Sequence, residues 1–475
     1  MTVSLAMLTP TGFAHNSRRS IQIAALSMSV ALTACAPSNE SAPGLTTVGQ
    51  IPDLMGAFDV DGLAVTAVRG DEILLSEGFG VTVEGDVYTS SSQCGLYSAT
   101  KVLASLTYTN LSKDGRINLD GQLGSYLDDA PPEWRGIPFY RLLNHTSGIT
   151  MIVNKPEFGA LVSNPAATND DIYRLVRDAP FDYQPGEYSR YRQSGYAVGE
   201  IILRDIVGKS FDALVTEYIT QPAGMANTTH PGLTNDSEPA FLLSAGGYRT
   251  TADDMARLFL GINNGTVVKP LEWKALLQDE KYLFENYSLG SVFEEQSGVL
   301  TLGHSGGGAR ANVRYAPDQK IGVMVCTDDR QNNALAISLA RMLVHEIATG
   351  EVPKTPVRVA LNGDKTGAEI VAAYNLVAEQ VDRYDFAGTE SLLNRIGYGF
   401  LAKEQLQDAI DVFSLNVELF PQSPNVHDSL GEALLASGDE ARALLQYREV
   451  LSLDRNNENA IVMIKKILAG DETNN

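Results

Sequence analysis

Ser98 and Lys101 stand three residues apart in Leu96-Tyr97-Ser98-Ala99-Thr100-Lys101, the only Ser-x-x-Lys in the chain. On a helix, residues at this spacing have Cβ atoms roughly 5–6 Å apart on one face, so the hydroxyl and the amine would meet. Val102, Leu103, Leu106 and Leu111 follow at helical spacing, and Gly115 ends the run. A serine that attacks a carbonyl must lose its proton, and a neighbouring amine can take it. The positive end of a helix then favours the negative charge that develops. The pair is short enough to arise by coincidence, so the rest of the chain has to decide whether it does chemistry.

The elements around the pair form an ordered series. Gly62–Val68 and Ile73–Leu75 flank Arg69-Gly70-Asp71-Glu72, which predicts a β-hairpin whose Arg-Gly-Asp is a turn. After the Ser98 helix come Leu142-Leu143-Asn144-His145-Thr146-Ser147-Gly148, ending in a glycine-bearing loop, and Gln184-Pro185-Gly186-Glu187. That Pro-Gly turn places Tyr191 on a loop before an apolar helix from Ala197 to Val207. Gly303-His304-Ser305-Gly306-Gly307-Gly308 precedes two strand-like runs, Asn312–Ala316 and Ile321–Cys326, and a helix follows from about Asn333 to Ile347. Strands at both ends with helices between predict an α+β domain, an antiparallel sheet closed by both termini of the segment.

The order Ser98-Ala99-Thr100-Lys101, Asn144-His145-Thr146-Ser147-Gly148, Pro185-Gly186-Glu187 with Tyr191, and His304-Ser305-Gly306 resembles the β-lactamase-related serine hydrolases over residues 51–350. That family includes class C β-lactamases, D-Ala-D-Ala carboxypeptidases, D-aminopeptidases and family VIII carboxylesterases. The resemblance implies the β-lactamase/penicillin-binding-protein-like fold, an antiparallel sheet flanked by helices with an α-helical subdomain. It also implies roles: Ser98 as nucleophile, Lys101 as its activating neighbour, Tyr191 as the catalytic tyrosine, and the amides of Ser98 and Gly307 as an oxyanion hole. His304 and Gly306 fall where many members carry Lys-Thr-Gly or His-x-Gly. Either Lys101 or Tyr191 could act as base. Two positions depart from the lactamase pattern. Gln193 stands where the family usually has Asn, and His304 replaces a permanent cation with a group expected to titrate near neutrality. Both favour an esterase or peptidase-like hydrolase acting on an ester or amide over a dedicated β-lactamase. The alternative is a catalytically weak or inactive sensor whose site binds a ligand and whose C-terminal repeats recruit a partner.

Two further motifs mimic catalytic signatures. Gly303-His304-Ser305-Gly306-Gly307 matches the Gly-x-Ser-x-Gly elbow, yet glycines and strand-like residues follow Ser305 where a helix is required. Lys365-Thr366-Gly367 matches the lactamase triplet but sits in a polar stretch just before a helical pattern.

Beyond a linker predicted at 351–366, residues 367–475 carry a repeat. Ile396-Gly397, Phe400, Ala409 and Phe413 align with Leu430-Gly431, Leu434, Ala443 and Tyr447 at an offset of 34 residues, the tetratricopeptide period of paired helices. An earlier helix is expected from about Ala368 to Tyr384 and a shortened capping helix from Ala460 to Leu468. The repeats offer either a protein-binding groove or a structural appendage.

At the other end, Arg18-Arg19 precede an apolar run from Ile21 that ends in Leu32-Thr33-Ala34-Cys35. A basic start, a short apolar core and small residues before a cut site make a secretory signal, too short to span a bilayer stably. Its end resembles a bacterial lipobox, which would make residues 1–35 a leader, Cys35 the lipidated residue, and residues 36–50 a polar tether. That implies an exported, periplasm-facing lipoprotein, membrane-bound by its lipid anchor alone. Cys94 and Cys326 remain, free to form a disulfide in an exported protein or to stay as buried thiols.

Composition sets the outer bounds. The 475-residue chain has 44% hydrophobic and 20% charged residues, as a globular protein with a large core should. Its formal net charge of −22 argues against nucleic acid and anionic membrane surfaces as partners. No Cys/His cluster has zinc spacing, and no metal or cofactor is expected. The expected substrate is a small molecule or peptide.

Overall fold

The computed structural model describes residues 44–234, 240–327 and 334–473. Cys35 and the leader expected before it lie outside the described residues. In chain order, the elements that matter for the site are Thr46–Phe58 (α1), Gly62–Arg69 (β1), Glu72–Gly80 (β2), Lys101–Lys113 (α2), Asn169–Arg177 (α3), Ser194–Ile202 (α4) and Ala252–Asn263 (α5). Then follow Tyr287–Ser288 (β3), Ser291–Gln296 (β4), Val299–Gly306 (β5), Ala311–Ala316 (β6), Ile321–Thr327 (β7) and Leu335–Thr349 (α6).

The strands form one seven-stranded sheet in the order β2-β1-β7-β6-β5-β4-β3. Every pairing in it is antiparallel. The expected hairpin is present, with Arg69 opposite Glu72 and Gly70 at φ +59°, a turn that favours glycine. β1 and β7 lie side by side, Leu63 opposite Thr327 and Arg69 opposite Ile321, so both ends of the segment close the sheet.

Alternate side chains of β1 enter different cores. Ala64 and Val68 face the core that contains α2, α4 and α5, whereas Leu63, Val65 and Ala67 face the one under α1 and α6. Coverage of both faces explains why β1 and β7 read as continuous apolar runs. α2 is buried along its whole length from Lys101 to Leu111. A helix buried all round shows little amphipathic contrast, yet its expected end at Gly115 (φ +67°) holds. Cys94 and Cys326 are joined as a disulfide with Cα atoms 6.4 Å apart, which ties the strand before Ser98 to β7.

Two stretches read as connectors are structured. The tether expected to reach residue 50 gives way to α1 at Thr46, whose first amides are capped from far away. Thr46 and Thr47 N–H donate to the Glu346 carboxylate of α6, at 2.5 and 2.9 Å. No local signal could reveal a cap supplied 300 residues on. Within the expected 351–366 linker, Thr355–Pro356 pairs in parallel with Tyr384–Asp385. Val357 and Leu361, on a helical turn beside them, belong to the C-terminal core.

That core is built from Gly367–Val377 (α7), Thr389–Leu401 (α8), Leu406–Leu419 (α9), Pro424–Ala436 (α10), Glu440–Leu453 (α11) and Glu458–Thr473 (α12). The 34-residue offset is visible in the contacts. A Cβ on Gly397 would meet the Phe413 ring at 2.4 Å, and one on the equivalent Gly431 would meet the Tyr447 ring at 3.1 Å. In both pairs glycine lets an aromatic ring of the second helix press on the backbone of the first. Lys365-Thr366-Gly367 proves to be a helix start: Thr366 and Glu369 form a reciprocal capping box.

Candidate active site

Ser98 lies in a single 3₁₀ turn, Tyr97–Thr100, which runs directly into α2 at Lys101. Tyr97 enters this turn in the left-handed region at φ 47°. Such a conformation costs a residue with a Cβ about 1–3 kcal/mol and persists only where its surroundings enforce it. The enforcing contacts are visible: Leu96 N–H donates to the Tyr248 carbonyl at 2.8 Å, and Tyr248 N–H to Thr100 Oγ1 at 3.2 Å.

The end of β5 closes on this turn. A Cβ on Gly306 would sit 2.1 Å from the Leu96 carbonyl and 3.0 Å from the Ser98 nitrogen, so only glycine allows the approach. Gly307, at φ +58°, packs against the Tyr97 ring, and its carbonyl accepts from Arg310 Nε at 2.6 Å. The strand that carries His304 and Gly306, with Gly307 just past its end, is thus brought beside the Ser98 amide. Ser305 is a strand residue of β5 and has no following helix.

Lys101 is fully buried. Its ammonium donates to the Ala245 carbonyl and lies 4.7 Å and 4.8 Å from the ring centres of Tyr191 and Tyr196. Burial disfavours the cation and lowers its pKa to about 7. Tyr191 is 39% exposed overall, yet its phenol sits in a desolvated environment within influence of the Ser98 side chain. Burial raises the phenol to about 12, and Ser98 pulls it the other way.

His304 corrects one expectation. It does not titrate near neutrality: burial first, and then the charge of Lys101, lower it to about 3. Its Nδ1 is hydrogen-bonded to the Ser305 carbonyl, and Nε2 is buried with no protein partner among the described residues. The side chain where lactamases carry a lysine is therefore a neutral imidazole. Gln193 occupies the N-cap position of α4, with Oε1 buried and no protein partner among the described residues.

Three side chains and one carbonyl at the site escaped the sequence reading. In the sequence His145 is only one residue of the Asn144-His145-Thr146-Ser147-Gly148 loop motif. It adopts φ 65°, and its Nδ1 accepts from the Arg192 N–H at 3.1 Å. Its ring centre lies 4.5 Å from that of Tyr191 and 4.6 Å from that of Tyr287. Burial, then Lys101, hold it well below the usual histidine range. Tyr196 and Tyr287 meet hydroxyl to hydroxyl at 3.2 Å. Tyr196 could have been found from its place in the first turn of α4, five residues past Tyr191. Tyr287 and the Ala245 carbonyl carry no signal in sequence. Among the described residues no group of three or more His, Cys, Asp or Glu side chains is placed to hold a metal ion.

The fold thus brings together the turn that carries Ser98, a buried amine of lowered proton affinity and the Tyr191 ring. The Beta-lactamase family model matches residues 50–345, and the chain belongs to that family of serine hydrolases. Penicillin-binding protein 4 of Amycolatopsis lactamdurans is 27% identical over 353 residues, covering 65% of this chain and 89% of that protein. PbpX of Bacillus subtilis (strain 168), which carries a penicillin-binding protein's name, is 28% identical over 176 residues. That match covers 36% of this chain and 42% of PbpX. Protein flp of Staphylococcus aureus (strain MW2) is 23% identical over 36% of this chain and 35% of its own length, so the chain spans well under half of these two relatives.

Among solved structures, the octameric penicillin-binding protein homologue from Pyrococcus abyssi superposes with a TM-score of 0.54 at 19% identity, over 64% of this chain and 77% of that one. The D-amino acid amidase of Ochrobactrum anthropi SV3, complexed with L-phenylalanine, superposes with a TM-score of 0.53 at 16% identity, over 64% and 99%. At such identities these likenesses establish the fold.

Proposed function

We propose that this protein is a cell-envelope serine hydrolase that cleaves an ester or amide through an acyl-enzyme on Ser98. The observation that carries the reading is the meeting of three groups: a buried Lys101, its pKa lowered to about 7, stands 4.7 Å from the Tyr191 ring centre, and the Ser98 side chain acts on the same tyrosine to lower its proton affinity. With Tyr191 near 12 and Lys101 near 7, the amine is the group with a free base form at neutral pH. Ser98 Oγ bonds to the carbonyl carbon and its proton passes to the Lys101–Tyr191 pair. The pair returns a proton to the departing alcohol or amine, and water then releases the acid. Amides of Ser98 and Gly307 would stabilise the oxyanion, each by roughly 2.7–4 kcal/mol.

The neutral His304 favours substrates that do not depend on a permanent cation there, esters and D-amino-acid amides before β-lactams. The amidase and penicillin-binding relatives are consistent with that range. Anchoring through a lipidated Cys35, outward exposure on a bacterial membrane, and a protein partner for the tetratricopeptide-like repeats belong to the same proposal. Incubation with a fluorophosphonate or a penicillin, followed by peptide mass spectrometry, tests it: an adduct on Ser98 is expected. Folded protein that gives no Ser98 adduct with either probe overturns it. A panel of p-nitrophenyl esters, D-amino acid amides and nitrocefin then ranks the substrates.

The second reading, a binding protein with a weakened site, is favoured by Gln193 and its unpartnered buried oxygen. Gln193→Asn separates the two. Turnover that rises from nothing supports the sensor, whereas turnover already present in the wild type removes it.

A further inference from the structure

Glu200 is a buried carboxylate on α4 that takes no part in the mechanism above. One oxygen accepts from the Ser244 amide at 2.6 Å and from the Ser244 hydroxyl. The other accepts from Asn169 Nδ2 at 2.7 Å, at the first position of α3. Asn169 completes a bridge, since its Oδ1 accepts from the Leu242 N–H at 3.0 Å. All of these donors are neutral. The carboxylate and the amide together grip residues 242–244 of one tight turn, in which Leu242 takes the left-handed conformation at φ 56°. The Ala245 and Gly246 amides fold back onto the Leu242 carbonyl at 2.9 and 3.2 Å.

This turn presents the site's only carbonyl contact to Lys101 among the described residues, the Ala245 oxygen. The next residues brace the nucleophile turn. A Cβ on Gly246 would meet the Tyr97 carbonyl at 3.3 Å, and Tyr248 holds Leu96 and Thr100. A buried carboxylate is costly to desolvate and is retained where several donors converge on it. Here the Ser244 donors belong to the segment that meets the lysine, and Asn169 holds the same segment through Leu242.

We propose that Glu200, with Asn169, is a positioning residue for Lys101: it clamps the 241–246 turn so that Ala245 orients the amine and water is kept from it. The inference deepens the hydrolase reading and rests on it for the role of Lys101. Groups facing Lys101 are Tyr191 and Tyr196 through their rings, and His145 and His304 through their charge coupling. Those coupled to Glu200 are Tyr108 and Tyr248. A loosened turn would admit water to Lys101. Burial is what depresses this amine, so its pKa would climb back toward the ordinary lysine value.

The test compares wild type, Glu200→Gln, and Glu200→Gln combined with Asn169→Asp, all as full chains. Glutamine alone must aim an NH₂ at a group that also donates. The double variant restores complementarity. Its new amide at position 200 still accepts from Ser244 and donates to the new carboxylate at position 169, whose other oxygen accepts from the Leu242 N–H. That acid also sits at a helix N-terminus, where it is tolerated. Two quantities are read between about pH 5 and 10. One is the rate of fluorophosphonate adduct formation on Ser98, and the other is the Lys101 midpoint from ¹³Cε-lysine NMR. Glu200→Gln is expected to slow the adduct at neutral pH by on the order of tenfold or more and to raise the Lys101 midpoint by about one unit. The double variant should regain most of both. A single variant that reacts and titrates like wild type overturns the proposal. So does a double variant that melts like wild type yet stays as slow and as shifted as the single. A wild type with no Ser98 adduct at any pH, with the fluorophosphonate or with a penicillin, defeats the hydrolase reading, while the NMR midpoints still decide the positioning claim.

Discussion

The catalytic domain and the C-terminal helices solve the same packing problem in opposite ways. The helical module repeats one local contact, a glycine against an aromatic ring, at Gly397–Phe413 and again at Gly431–Tyr447. Its contacts join residues close in sequence, and its core is a set of small increments. The catalytic domain gathers residues 98, 101, 145, 191, 196, 245, 287 and 304 into one site, and fastens position 94 to 326 across 232 residues. What stabilises one region is repetition, so damage there should stay local. Stability in the other comes from long-range closure, so damage should reach the site.

The sharpest separation is chemical. Lys101→Met keeps a similar volume in a fully buried position but removes the proposed base. Its turnover and its rate of Ser98 acylation should fall by on the order of 10³, with no change in hydrogen exchange across residues 389–453. An equal loss on disrupting the repeats would break the contrast.

Next comes closure. Cys94→Ser opens the 232-residue link and should cost about 2–5 kcal/mol. Thermal unfolding followed by probes in each region should show the catalytic domain melting earlier while the repeats hold. A parallel shift of both transitions would mean that the two regions unfold as one unit.

The repeats predict a graded pair. Gly397→Ala places a Cβ 2.4 Å from Phe413 and should destabilise by about 1–3 kcal/mol. Gly431→Ala meets Tyr447 at 3.1 Å, and the helix-propensity gain of about 1 kcal/mol should nearly cancel its cost. Denaturant unfolding monitored in the module gives the order, and the reverse order would refute the equivalence of the two positions.

The smallest effect is on pH dependence. Lys101 near 7 predicts acylation that rises with pH through about 7 and then levels, without a second limb from His304, which is already neutral above about 3. The stability linkage has a definite sign. Unfolded Lys101 binds its proton up to its usual pKa while the folded group has released it, so between about 7 and 10.5 the unfolded state holds more protons. Stability contributed by this group therefore rises with pH across that window and is lost as pH falls through it. Lys101→Met should flatten both curves.

Much of the architecture is legible in the chain. The β1–β2 turn, the strands closing the sheet, the end of the Ser98 helix and the 34-residue offset follow from alternation, turn chemistry and period, all local properties. Misreadings fall where a distant residue completes a local structure. α1 has no cap of its own and reads as tether because Glu346 supplies the cap. Residues 355–361 read as linker because their strand and core partners lie further along the chain.

For the site, sequence determined which groups exist and in what order: Ser98 and Lys101 at one spacing, Tyr191 before a helix, a His304 strand ending in glycines. Tertiary structure decided what state they are in. Burial makes Lys101 a weak cation and His304 a permanent neutral, and it brings in His145, Tyr287 and the Ala245 carbonyl. Proton affinity depends on desolvation and on neighbours from remote segments, and neither is a property of the residue or of its spacing.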